Sequence, residues 1–186
     1  MWWKLLDPDR RRRWLYPRAA TGPYRDFLAQ PFPSQKEDFR NADFAALDLE
    51  TTGLDPQTDQ ILSVGLVVVR NGTRIDLATA MHRLVRPEGE IPEETAVIHQ
   101  ITDDQAATGS GLREVMAELL QRMAGRVLLA HHARVEVRFL NVACRRLYGQ
   151  DLVVPVADTQ VLAKRALDRP IGGLYPYDSR VRYRFL

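Results

Sequence analysis

Asp43-Phe44-Ala45-Ala46-Leu47-Asp48-Leu49-Glu50-Thr51-Thr52-Gly53-Leu54 is an apolar segment that ends in two carboxylates one residue apart. Its first half predicts a buried strand. Successive side chains of a strand point to opposite faces, so Asp48 and Glu50 share a face and repel each other unless something positive lies between them. A hard divalent cation answers that need. Mg²⁺ takes carboxylate oxygens, and a pair of such ions about 3.5–4 Å apart is a standard device for hydrolysing phosphodiesters. A cap or a salt-bridge pair at the strand end is the plainer reading, but it leaves the following Thr-Thr-Gly-Leu without a reason.

Working outward, Asn71-Gly72 between Leu66–Arg70 and Thr73–Leu77 is a two-residue hairpin signal, so strands two and three are expected to be antiparallel. Leu112, Val115, Met116, Leu119, Leu120 and Met123 repeat at helical spacing, with Gly125 as the stop. Arg126–Ala130 predicts a buried strand and Arg134–Tyr148 a second helix. Val153–Ala157 predicts a short edge strand before a helix starting near Asp158. A hairpin followed by alternating helices and strands implies an α/β fold, a mixed sheet flanked by helices with its ligands at the strand ends.

Residues 1–40 differ from the rest. All three tryptophans, Trp2, Trp3 and Trp14, fall there beside the run Arg10–Arg13, ahead of Gln30-Pro31-Phe32-Pro33-Ser34. They are expected to form a basic, Trp-bearing extension of short, loosely joined helices, followed by the main domain over residues 41–186. Arg and aromatic side chains together can track a nucleic acid, though such aromatics more often anchor a segment on its parent domain.

The chain has 186 residues, 45% hydrophobic and 27% charged, which is ordinary globular composition. The single Cys144 excludes an internal disulfide, and no apolar run reaches membrane-spanning length, which together suggest a cytoplasmic protein. The net charge of +2 is unevenly spread. Residues 1–30 hold seven Lys/Arg against three Asp/Glu, residues 31–163 thirteen against nineteen, and residues 164–186 six against two. Basic flanks beside an acidic metal site suit a phosphodiester substrate.

Asp48-Leu49-Glu50-Thr51-Thr52-Gly53-Leu54 resembles the first motif of the DEDD exonucleases, which have an RNase H-like fold, in particular the proofreading epsilon subunit of bacterial DNA polymerase III. Ile61–Gly65, Ile98-His99-Gln100-Ile101-Thr102-Asp103 and His131-His132-Ala133-Arg134-Val135-Glu136-Val137-Arg138-Phe139-Leu140 follow in the family's order. The resemblance implies a Mg²⁺- or Mn²⁺-dependent 3′-5′ exonuclease that removes nucleotides from DNA 3′ ends, with a polymerase subunit as a candidate partner. It makes Asp48 the ligand bridging two metals and Glu50 a ligand to one. Thr51, Thr52 and Leu54 would contact the terminal nucleotide, and His99 and His132 would lie on the substrate side.

Three departures qualify the match. His132 replaces the family's Asn, Val135 its Phe, and Glu136 its Asp. Glu136 can still ligate a metal, although its extra methylene moves the carboxylate by more than an ångström. No His follows His132, so the last motif, a His five residues ahead of an Asp, is missing. The chain is expected to be C-terminally incomplete and weakly active or inactive. The rival expectation is a non-catalytic module that grips DNA or a polymerase on a degenerate exonuclease fold.

Overall fold

The computed structural model describes residues 7–89 and 107–167. His99, Asp103, Trp2 and Trp3 lie outside these residues. The described chain runs α1 (Pro8–Leu15), α2 (Pro23–Ala29), β1 (Phe44–Thr51), β2 (Ile61–Arg70), β3 (Arg74–Leu84), α3 (Leu112–Met123), β4 (Val127–Ala130), α4 (Arg134–Tyr148), β5 (Val156–Asp158) and α5 (Thr159–Leu167).

The strands form one sheet in the order β3-β2-β1-β4-β5. β2 is antiparallel to β1 and β3, whereas β4 runs parallel to both β1 and β5. This is the expected mixed α/β sheet flanked by helices. The parallel pairing brings the C-terminal ends of β1, β4 and β5 to one edge, so every loop that leaves them opens on the same side.

The helices form where the apolar spacing places them. Val115, Met116, Leu119, Leu120 and Met123 of α3 are all buried, which makes the methionines core. Phe139, Leu140, Ala143 and Cys144 of α4 are buried beside them, and these two helices cover the face of the sheet that carries Ala45, Leu47 and Leu49. Burial pushes the Cys144 thiol up to about 12, as suits a packing group rather than a nucleophile. The opposite face holds a smaller cluster around Phe44, Val127 and Ala157.

The hairpin needs one residue more than its Asn-Gly signal implies. Asn71 and Gly72 take φ of 50° and 61°, but Arg70 pairs with Arg74, so Thr73 stays in the turn. Gly72 has a second constraint, since a Cβ there would lie 2.5 Å from the Phe39 carbonyl oxygen. β5 starts later than the sequence predicts because Pro155 offers no N–H to the ladder.

The N-terminal helices are present, but they are not loosely joined. Leu15, Tyr24, Phe27, Leu28 and Phe32 are buried in the same core as α3 and α4. Tyr24 stacks on Tyr148 and donates its hydroxyl to the Asp151 carbonyl at 2.5 Å. Trp14, by contrast, is 45% exposed with the Arg18 guanidinium over its ring. The anchors are therefore Tyr24, Phe27 and Leu28 rather than the conspicuous tryptophan. No helix among the described residues is long and apolar enough to cross a membrane.

Candidate active site at the C-terminal edge of the sheet

β1 delivers the two carboxylates as its period requires: Leu47 and Leu49 are buried, Asp48 is exposed and Glu50 half-buried. Asp48 faces Gly65 and Glu50 faces Ser63 on β2, and the ladder then slips, with Thr51 opposite Ile61. A bulge at this point bends the end of the strand, a common device beside active sites.

The turn that follows is held by its own polar groups. Thr51 Oγ1 donates to the Gly53 carbonyl at 2.6 Å. Thr52 Oγ1 accepts from Gln60 N at 2.9 Å and meets Asp59 Oδ1 at 3.3 Å, while Asp59 Oδ2 accepts from Asp55 N at 2.8 Å. Gly53 leaves room for that Asp59 carboxylate, which a Cβ 2.5 Å away would push aside. The turn leaves Leu54 77% exposed beside the carboxylates.

Across the edge, α4 begins without a side-chain cap of its own, since its N-cap residue is Ala133. Asp158, at the end of β5, supplies one from 25 residues away. Its Oδ1 accepts from His132 N at 3.2 Å and its Oδ2 from Ala133 N at 3.1 Å. Asp158 Oδ1 also accepts from Gln160 N at 2.9 Å, so one carboxylate starts both α4 and α5. His132 is held with φ at 57°, a conformation that non-glycine residues adopt at a cost. The two adjacent histidines diverge: His131 Nδ1 meets Thr159 Oγ1 and His132 Nδ1 meets Gln160 Oε1.

Glu136 lies on the apolar stripe of α4, at i relative to Phe139, Leu140 and Ala143, and is only 5% exposed. It is a buried group, not a solvated helix residue. Its Oε2 is buried with no hydrogen-bond partner. Burial raises its pKa first; a backbone hydrogen bond opposes that, Asp48 raises it further, His132 lowers it and Asp158 raises it. A buried carboxylate with an unmatched oxygen beside two further carboxylates is costly as it stands, and an oxygen-seeking cation would relieve it. Carboxylate oxygens are the donor type that a hard divalent ion takes. Among the described residues, however, no group of three or more His, Cys, Asp and Glu lies close enough together to hold one.

Asp158 is the residue that sequence reasoning passed over, having placed it only at the start of a helix. Its signal was indirect: α4 opens on His-His-Ala-Arg with no Ser, Thr, Asp or Asn to cap it, so the cap had to come from elsewhere in the fold.

Known proteins sharpen the picture. An exonuclease family model of the RNase T type matches residues 45–175. A PolC-type DNA polymerase III of Thermotoga petrophila is 36% identical over 134 residues, covering 72% of this chain but 10% of that protein. The DNA polymerase III epsilon subunit of Treponema pallidum is 32% identical over 141 residues, covering 76% of this chain and 60% of that protein. The chain thus spans only part of the length of these relatives. Among solved structures, E. coli exonuclease I in a complex with single-stranded DNA superposes with a TM-score of 0.62 at 15% identity, over 73% of this chain and 32% of the other. That likeness supports the RNase H-like fold. The run from Asp48 to Leu54 thus reports descent and not chance, and the chain belongs to the RNase T-type exonuclease family.

Proposed function

We propose that this chain is a metal-dependent 3′-5′ exonuclease domain that removes nucleotides from the 3′ ends of DNA in the cytoplasm, with Asp48, Glu50 and Glu136 as ligands of Mg²⁺ or Mn²⁺. The observation that carries the reading is the buried, unmatched Glu136 Oε2 beside Asp48. Bound divalent ions supply an activated water and neutralise charge at the scissile phosphate.

The chain's own residues set the substrate. Leu54 is exposed where the terminal base would pack. Thr51 and Thr52 shape the turn that presents it, and each hydroxyl keeps acceptor capacity beyond its local bonds. His132, with one ring nitrogen engaged by Gln160, lies on the substrate side, and His99 is assigned there from its sequence position. Residues 41–186 form the exonuclease domain and residues 1–40 its basic extension; a polymerase subunit is the partner this reading favours. Because no His follows His132, hydrolysis by these 186 residues is expected to be slow.

The test is release of the terminal nucleotide from a 3′-labelled single-stranded DNA with Mn²⁺, run beside Asp48→Ala. Metal-dependent release that disappears in the variant supports the proposal; release that survives Asp48→Ala removes it.

One observation favours a second reading, a non-catalytic module that binds DNA or a polymerase: the described carboxylates do not converge into a ligand cluster. Binding of the same DNA at full strength by Asp48→Ala, without cleavage by either form, would select that module.

A further inference from the structure

Several arginines of this chain are tied to carboxylates: Arg12 to Asp9, Arg70 to Asp43, Arg83 and Arg122 to Glu118, and Arg146 to Glu88. Three of the four in the run Arg10–Arg13 are engaged in this way, Arg10 with Asp7 and both Arg12 and Arg13 with Asp9. Arg134 and Arg138 differ. Both are exposed on α4, and neither makes a hydrogen bond or an ion pair among the described residues.

They stand one helical turn apart, a rise of about 6 Å, comparable with the spacing of successive phosphates along an extended strand. With Arg11 they line a groove of about 500 Å³ between α1, α4 and the segment entering β5. Asp151 at its far end is paired with Arg145, so its charge is balanced and the middle of the groove stays cationic. The near end lies at the first turn of α4, the turn that Asp158 caps at the C-terminal edge of the sheet. The floor is aliphatic, Val137 and Val154 among others, and no aromatic side chain lines the groove. With no aromatic lining among the described residues, a strand would be held here by its phosphates and not by its bases.

We propose that this groove binds single-stranded DNA through its phosphate backbone, without regard to sequence, with Arg134 and Arg138 as the phosphate contacts and the strand leading toward the carboxylate edge. The direction of the strand rests on the reading of that edge as the site of cleavage. Binding itself does not, and it is measured separately.

The experiment is titration of the whole chain with a fluorescent twelve-nucleotide oligo(dT) in EDTA across a salt series. It compares the wild type, Arg134→Gln/Arg138→Gln, and Arg74→Gln at the distant hairpin as a control. Each lost phosphate contact on a single strand flattens the slope of log K against log salt by about 0.7, so the double variant should lose about 1.4 and the control nothing. Both arginines are exposed and without partners among the described residues, so an unchanged melting temperature verifies that the variant is folded. A double variant that keeps the wild-type slope, or a wild type that does not bind the oligonucleotide, overturns the groove even if Asp48-dependent cleavage is found. A flattened slope upholds the groove even where cleavage is absent and the catalytic reading fails. An oligo-glutamate peptide that binds more tightly than the DNA and is lost in the double variant would assign the groove to an acidic protein and overturn the proposal.

Discussion

The turn that leaves β1 and the turn that enters α4 meet at the same edge of the sheet and treat their polar groups in opposite ways. Between Thr51 and Gln60 the hydroxyls of two threonines and the carboxylate of Asp59 are bound to groups of the same turn, so its shape is set locally. The entry to α4 is set from outside. Its cap is borrowed from Asp158, His132 is held in a left-handed conformation, and Glu136 keeps one buried oxygen unmatched. The first region is a rigid shelf that displays Leu54 and the β1 carboxylates. The second holds a destabilised carboxylate that a cation can stabilise. A site of the proposed kind gains from such a division, since one part must not move and the other must respond to the ion.

The largest effect on stability is expected where the borrowed support is removed. Asp158→Ala strips acceptors from the starts of two helices, each cap being worth up to about 2 kcal/mol, so a loss of about 2–4 kcal/mol in urea unfolding is expected. A loss below about 0.5 kcal/mol would show that α4 does not depend on this bond. On the local side, Gly53→Ala drives a Cβ against the Asp59 carboxylate and should cost about 1–2 kcal/mol by breaking its bonds to Asp55 and Thr52. The same change in an Asp59→Ala background should cost less, because the clash is gone. Equal costs in both backgrounds would mean that the turn is not held by Asp59.

How much of this the sequence shows depends on how far apart the interacting residues are. The β1 carboxylates, the hairpin and the two amphipathic helices are legible because periods of 2 and 3.6 and an Asn-Gly turn are local properties of the chain. The docking of the N-terminal helices is not, since the bond that ties Tyr24 to Asp151 joins residues 127 apart and the most conspicuous aromatic, Trp14, faces solvent. Glu136 falls between these cases. Its place on an apolar stripe can be read from α4 alone, but its missing partner appears only once β1 and β5 stand beside it.

Glu136 also carries the pH dependence of the comparison. Burial, with Asp48 and Asp158 adding to it, raises the folded pKa above the unfolded one. A carboxyl raised in this way contributes stability that is fully present below its unfolded pKa of about 4.3 and is lost as pH rises through the folded value. Without metal, Glu136→Gln removes a buried charge and should stabilise the protein at pH 8 by about 1 kcal/mol, or ~2–4 °C in Tm. That gain should vanish near pH 4. Added Mn²⁺ should then raise the Tm of the wild type at pH 8 but not that of the variant. A variant that is less stable than the wild type at pH 8 in EDTA would show that the carboxylate is satisfied and that the contrast between the two turns is mistaken.

The smallest effect on stability is expected at Leu54, and there the two roles of the shelf come apart. A side chain that is 77% exposed buries little surface, so Leu54→Ala should change unfolding by less than about 0.5 kcal/mol. Burying a leucine side chain is worth about 1.5–3 kcal/mol in full, and a base covering part of it about 1, so the same substitution should weaken binding of a 3′ end by about fivefold. The comparison to make is Leu54→Ala against Arg134→Gln/Arg138→Gln. The first removes apolar contact and should leave the salt dependence of binding intact; the second should flatten it. If Leu54→Ala binds DNA like the wild type at every salt concentration, the exposed leucine has no nucleotide against it and the shelf serves only to hold Asp48 and Glu50 in place.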